Sequence, residues 1–205
     1  MTIRTYLLSA VTLLLAGTTT AQDARSSINE TRGDYGNNIL SFSPLQVSDR
    51  GVGVGISYER VLDKNRNLVS FYLPVTAALN NFDNNGDYQT YYFMPGIKIY
   101  PTGGKGIIRY AVGPNITYAT GKMAVEEQLP LDPSGGFVGV RTVDKDFYKL
   151  GMMITNSLNV NPTKRLHMGL ELGLGFTYLD NIDNNNFSDG PLNLVQFGFK
   201  VGYRF

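Results

Sequence analysis

The sequence predicts an all-β chain, an eight-stranded antiparallel transmembrane β-barrel laid out as an up-and-down meander. Three observations predict it. Apolar residues alternate with small or polar ones at a period of two, and the pattern recurs along eight segments. Glycine is abundant, with 23 among 205 residues, and the aromatics are 13 Tyr and 11 Phe with no Trp. The connections between the alternating segments are short and long by turns.

Composition removes several function classes. The formal net charge is +1, which argues against a nucleic-acid binder. There is no Cys, so disulfides, a thiol nucleophile and Cys-ligated metals are excluded. A single His speaks against a His-rich metal site. No cofactor and no metal site is expected.

The chain opens with an export signal. Arg4 is the only charge before Asp23, and Tyr6 to Ala16 is an apolar run too short for a membrane helix. Thr19-Thr20-Ala21 supplies the small residues of a cleavage site, placing the cut after Ala21 and assigning 1–21 to a signal peptide. Residues 22–38 are polar and without period, and are expected to form a flexible periplasmic tail ahead of a barrel spanning 39–205.

The first barrel segment, Ile39 to Ser48, has an ambiguous parity. In the next, Val52, Val54, Ile56 and Tyr58 oppose Gly53, Gly55, Ser57 and Glu59. Val69, Phe71, Leu73, Val75 and Leu79 oppose Ser70, Thr76 and Asn80. Tyr91, Phe93, Ile97 and Ile99 oppose Gly96 and Lys98, read as one strand. Ile108, Tyr110, Val112, Ile116 and Tyr118 oppose Arg109, Ala111, Gly113, Asn115 and Thr117. Tyr148, Leu150, Met152, Ile154, Leu158 and Val160 oppose Lys149, Gly151, Thr155, Ser157 and Asn159.

The last two segments are the purest. Leu166, Met168, Leu170, Leu172, Leu174, Phe176 and Tyr178 alternate with His167, Gly169, Glu171, Gly173, Gly175 and Thr177. Val195, Phe197, Phe199, Val201, Tyr203 and Phe205 alternate with Gln196, Gly198, Lys200, Gly202 and Arg204. A helix repeats every 3.6 residues and cannot keep such a pattern. A soluble sandwich or lipocalin-like barrel would carry Lys, Glu and Thr on its polar face. Here that face is rich in Gly and Ser with isolated charges, which suits the inside of a narrow barrel whose apolar face meets lipid.

Short connections at 63–66, 101–105 and 162–164 read as periplasmic turns, and the longer ones at 81–87, 121–145 and 180–191 as outer loops. The tight connection at Asp49-Arg50 is the exception on the outer side. Within the longest loop, 137–143 can pair as strand, giving a hairpin above the membrane whose edges could recruit a partner by strand addition. Tyr58, Tyr110 and Tyr203 fall at periplasmic strand ends, and Tyr91, Tyr118, Tyr148 and Tyr178 at outer ends, as two aromatic girdles.

The inward face carries Glu59, Lys98, Arg109, Lys149, Glu171 and Lys200, with His167 near one end. Charges in so narrow a lumen must pair, so Glu59 and Glu171 are expected to accept from Arg109, Lys149 or Lys98 as a structural plug. His167 has Gly169, not Ser, next on its face and no second His to act as base, so no catalysis is expected. The outer loops are acidic, with Asp83, Asp87, Glu126, Glu127, Asp132, Asp144, Asp146, Asp180, Asp183 and Asp189 against Lys122, Arg141 and Lys145. Asn84-Asn85-Gly86-Asp87 and 183–186 lack EF-hand spacing and read as solvated turns, the alternative being divalent cations bridging these acids to lipopolysaccharide phosphates. Three matches to a glycosylation pattern, at Asn29, Asn115 and Asn186, read as chance.

The chain from about Ile39 resembles small eight-stranded outer-membrane barrels of the OmpA transmembrane-domain, OmpX and OmpW kind, and is most like small barrels of Bacteroidetes. The resemblance rests on Thr-Ala-Gln at 20–22, on Gly53-Val54-Gly55-Ile56-Ser57-Tyr58-Glu59-Arg60 and on Gly202-Tyr203-Arg204-Phe205. It implies that Tyr203 and Phe205 form the terminal signal read by the barrel assembly machinery, although Lys200 stands where a glycine is usual. It implies partners in outer-membrane lipid and lipopolysaccharide, and a structural or surface-interaction role that includes an extracellular partner at the outer loops. The alternative is a narrow OmpW-like conduit for small solutes or apolar molecules. Nothing follows Phe205, so no C-terminal peptidoglycan-binding domain is expected.

Overall fold

The computed structural model describes residues 36–49, 51–63, 68–80, 88–103, 106–128, 140–182, 185–186 and 192–205. The expected signal peptide, most of the expected tail, and the loop residues Asp83, Asp87, Asp132, Asp183 and Asp189 lie outside the described residues, as do 137–139. Among the described residues every regular element is a strand. In chain order these are β1 (Asn38–Ser48), β2 (Gly51–Val61), β3 (Val69–Asn80), β4 (Tyr88–Phe93), β5 (Gly96–Ile99), β6 (Ile108–Gln128), β7 (Val140–Val160), β8 (Leu166–Ile182), β9 (Asn185–Asn186) and β10 (Leu192–Arg204).

Consecutive strands pair antiparallel from β1 to β3 and from β6 to β8, and β8 also pairs with β10. β10 then returns to β1, with Ile39 opposite Arg204 and Ser48 opposite Gln196, which closes the ring. β4 and β5 both lie between β3 and β6 and hold one register on each side, so together they make a single span and the ring has eight.

The alternation decides which way each side chain points. In β2 the glycines, Ser57 and Glu59 are buried, while Val52, Val54 and Ile56 are exposed. On β8, Leu170, Leu172, Leu174 and Phe176 are exposed on the outside, while Lys98, Arg109 and Lys200 on other strands are buried. The usual inside–outside rule of a water-soluble protein is inverted.

Three places depart from the expected strands. In β1 both Pro44 and Leu45 face outward, and the ladder to β10 steps from Phe42–Val201 to Leu45–Phe199. Pro44 has no N–H to donate, so the strand bulges there and switches parity, which is why the sequence of this segment reads ambiguously. The fourth span, expected as one strand, breaks at Met94-Pro95 for the same reason. Met94 N donates to Pro74 O (3.1 Å), Ile116 N to Pro95 O (2.9 Å), and Asn115 Nδ2 to Met94 O (2.9 Å), which stitch the gap. The connection 180–191, expected as a loop, starts as strand: β8 runs to Ile182 and Asn185-Asn186 fold back on Asn181-Ile182.

The ladder between β6 and β7 continues past their neighbours, from Lys122–Asp146 to Gln128–Val140. That extension is roughly 20 Å long. At the same end, Ser48 pairs with Gly51 across the two-residue turn 49–50, and Gly51 takes a φ of 143° that favours glycine. At the other end the start of β1 meets Phe205. Asn38 joins β1 one residue before the expected start, and exchanges backbone hydrogen bonds with Phe205 (2.9 and 2.8 Å).

Candidate functional site

The inward face is the candidate site. Glu59, Lys98, Arg109, Lys149 and Lys200 are buried there, and Glu171 is almost so. They come from β2, β5, β6, β7, β10 and β8, and the closed ring aims them at one axis.

Lys98 is the centre of the arrangement. It bonds Glu171 on the far wall and lies 3.6 Å from Glu59 Oε2. Lys200 Nζ donates to the same oxygen of Glu171, Oε1, at 2.7 Å. The other oxygen, Oε2, accepts from Tyr72 Oη at 2.5 Å. Glu59 Oε1 accepts from Tyr100 and from Ser70 Oγ (2.9 Å). Both ammonium groups also face the ring of Tyr72, Lys98 at 3.4 Å from its centroid and Lys200 at 4.7 Å, and the Arg109 guanidinium lies 4.8 Å from the centroid of Tyr100. Each carboxylate is thus held by cations and hydroxyls together, which offsets the cost of taking it out of water.

Lys149 sits elsewhere. It is buried in β7 ten residues before Asn159, the register partner of Arg109, roughly 33 Å along the strand. His167 lies beneath the cluster, with Nδ1 2.9 Å from Asn161 Oδ1 and Nε2 without a hydrogen-bond partner among the described residues. Lys98, Tyr100 and His167 expose no surface at all, so no water-sized passage touches them.

Sequence reasoning missed the large inward aromatics. Tyr72, Tyr92, Tyr100 and Phe147 are buried inside, where only small residues and charges were expected. Parity alone carries the signal: Tyr72 shares a face with Ser70, and Tyr100 with Lys98. The half nearer the long connections is filled by Ala78, Tyr92, Met94, Ala119 and Met153 in one apolar cluster. Tyr92 Oη caps it by donating to Asp49 Oδ1 (2.7 Å) at the β1–β2 turn. Glycines make room for these side chains. A methyl on Gly169 would meet Lys200 Cε at 2.7 Å, and one on Gly173 would strike the sulfur of Met153.

The tyrosines expected as girdles all face outward. Tyr91, Tyr118, Tyr148, Tyr178 and Tyr203 are exposed. Tyr58 and Tyr110 are half-buried, donating to Asn38 Oδ1 (2.8 Å) and Asn156 Oδ1 (2.6 Å). Tyr203 and Phe205 stack with centroids 6.1 Å apart. Of the acidic loop residues, Asp144 and Asp146 are exposed on β7, and among the described residues no group of three or more acids or His is arranged to hold a metal ion.

No protein-family model matches the chain, and no curated protein matches it in sequence. Solved structures do. Neisserial surface protein A is similar at a TM-score of 0.51 and 10% identity, over 82% of this chain and 96% of that one. A major outer membrane protein from Thermus thermophilus is similar at 0.58 and 13% identity, over 82% and 98%. These likenesses show the fold: an eight-stranded antiparallel β-barrel of the kind those proteins adopt.

Proposed function

We propose that this chain is a bacterial outer-membrane barrel, exported through a cleaved signal peptide, whose lumen is closed by side chains and whose role is structural or one of surface interaction. One observation carries the membrane reading. The outward face is a continuous belt of exposed Leu, Ile, Val, Phe and Tyr around a ring with a buried polar interior. Water-soluble proteins do not expose apolar surface on that scale, whereas a bilayer requires it. A closed ring also satisfies every backbone group that lies in hydrocarbon.

The plug reading rests on Glu59, Lys98, Glu171 and Lys200, which meet across the lumen with Tyr72 and Tyr100 in the gaps. Purified chain reconstituted in a planar bilayer is expected to give no steady conductance. Regular open-channel steps would favour the alternative, a narrow OmpW-like conduit for small solutes or apolar molecules, which the apolar lining of the other half of the lumen would suit.

The surface role rests on the β6–β7 extension, whose outer edges pair with no other strand among the described residues. Its register sets Lys122 opposite Asp146 and position 127 opposite position 141. The partners that fit are outer-membrane lipid and lipopolysaccharide around the belt, an extracellular partner at the hairpin, and the assembly machinery at Tyr203 and Phe205. The specific kinship to OmpA, OmpX, OmpW and Bacteroidetes barrels belongs to the same proposal. Deleting 124–142 should leave folding intact and abolish any binding of the chain to host or bacterial surfaces. Unchanged binding would contradict the surface role.

A further inference from the structure

We infer that the outer wall of β1–β3, at the end where β1 meets Phe205, holds one glycerophospholipid by its phosphate. The inference rests on the membrane reading above, which puts this rim at the headgroups of the inner leaflet.

A groove of about 530 Å³ lies here, lined by Asn37, Asn38, Arg60, Val61, Leu62 and Phe71. Its volume falls in the usual range for small-ligand sites, about 300–1,000 Å³. Register explains its chemistry. Asn38 pairs with Arg60, and Arg60 with Phe71, so three adjacent strands present an amide, a guanidinium and an aromatic ring in one outward row. The next row toward the barrel middle is Tyr203, Leu40, Tyr58 and Leu73, all aromatic or aliphatic. A cation thus stands one step outside the apolar belt, at the depth where a phosphodiester sits below its acyl chains.

The polar groups are positioned rather than floppy. Tyr58 Oη donates to Asn38 Oδ1, which leaves both Nδ2 hydrogens as donors. Val61 N donates to Asn37 O (2.8 Å), and Asn38 is tied to Phe205, so backbone hydrogen bonds fix this wall. Arg60 is exposed and offers a planar fork that suits phosphate oxygens. Phe71, exposed in the row of Arg60 and followed by Leu73 toward the barrel middle, gives an acyl chain a wall to follow. Lys164 and Arg165 are exposed at the same rim, and with Arg60 they outweigh the half-buried Asp63, which leaves its field favourable to an anion. A lipid answers both halves of this groove. A free phosphate would leave Phe71 bare, and a neutral apolar molecule would leave Arg60 without an anion.

The test is native mass spectrometry of the full chain purified from membranes in detergent, titrated with phosphatidylethanolamine. One lipid should bind ahead of all others. Arg60→Gln should weaken it about tenfold, the loss of one charge-assisted contact, Phe71→Ala should weaken it less, and Arg60→Lys should retain part. Equal binding by Arg60→Gln and the native chain overturns the site. Equal binding of diacylglycerol overturns phosphate recognition, and displacement by inorganic phosphate alone overturns the lipid assignment. Insertion into vesicles is measured on the same samples. A chain that inserts but shows no Arg60 dependence defeats this site alone, whereas one that does not enter vesicles defeats the membrane reading with it.

Discussion

The two halves of the lumen solve one packing problem with opposite chemistry. Near the start of β1 the space is filled by Glu59, Glu171, Lys98, Lys200, Tyr72 and Tyr100, bonded to one another across the axis. Near the long connections it is filled by Ala78, Tyr92, Met94, Ala119 and Met153, in van der Waals contact. Both halves are tightly closed. The contrast shows that a narrow barrel needs volume inside more than it needs polarity, and that its two inward carboxylates are held by the lysines that face them. The polar half is a network in which every deletion strands a partner, whereas the apolar half loses only the atoms removed.

That difference can be broken experimentally. Glu171→Gln should have the largest effect, because it leaves Lys98 and Lys200 close together without the carboxylate they share. A loss of about 3–5 kcal/mol is expected, read from urea unfolding in lipid vesicles. A loss under about 1 kcal/mol would mean that the cluster is wet. Met153→Ala, in the apolar half, should cost about 2–5 kcal/mol by cavity formation, with the smaller end marking a half that can collapse. Tyr100→Phe keeps the packing and removes the hydroxyl that Glu59 accepts from, and should cost about 0.5–1.5 kcal/mol. The smallest effect belongs to salt. Raising ionic strength to about 1 M should hardly change the cost of Glu171→Gln, since a cluster this deeply buried is poorly screened. A cost that vanishes in salt would place the charges in open solvent.

Much of the fold was legible because parity survives wherever a strand is regular. Val195 to Phe205 and Leu166 to Tyr178 reveal their faces at sight. Parity failed where Pro44 bulges β1, whereas at Pro95 the ladder breaks between β4 and β5 but the parity and register carry through. In the lumen, parity identifies which side chains face inward but not which of them meet. Lys98 and Glu171 are 73 residues apart and on facing walls, and their encounter depends on the stagger of the closed ring, a property of all eight strands together. Tyr72 and Tyr100 were overlooked because tyrosine was read as an interfacial residue. The groove at Arg60 needed the register of three strands, which no single segment encodes.

The central claim is that the exposed apolar face meets acyl chains. The chain has no Trp, so a single Trp introduced as Ile56→Trp, mid-strand and outward on β2, reports on that face alone. Refolded into vesicles of lipids brominated along their tails, its fluorescence should be strongly quenched and insensitive to iodide in the buffer. Fluorescence that tail bromines leave untouched and aqueous iodide quenches would contradict the account.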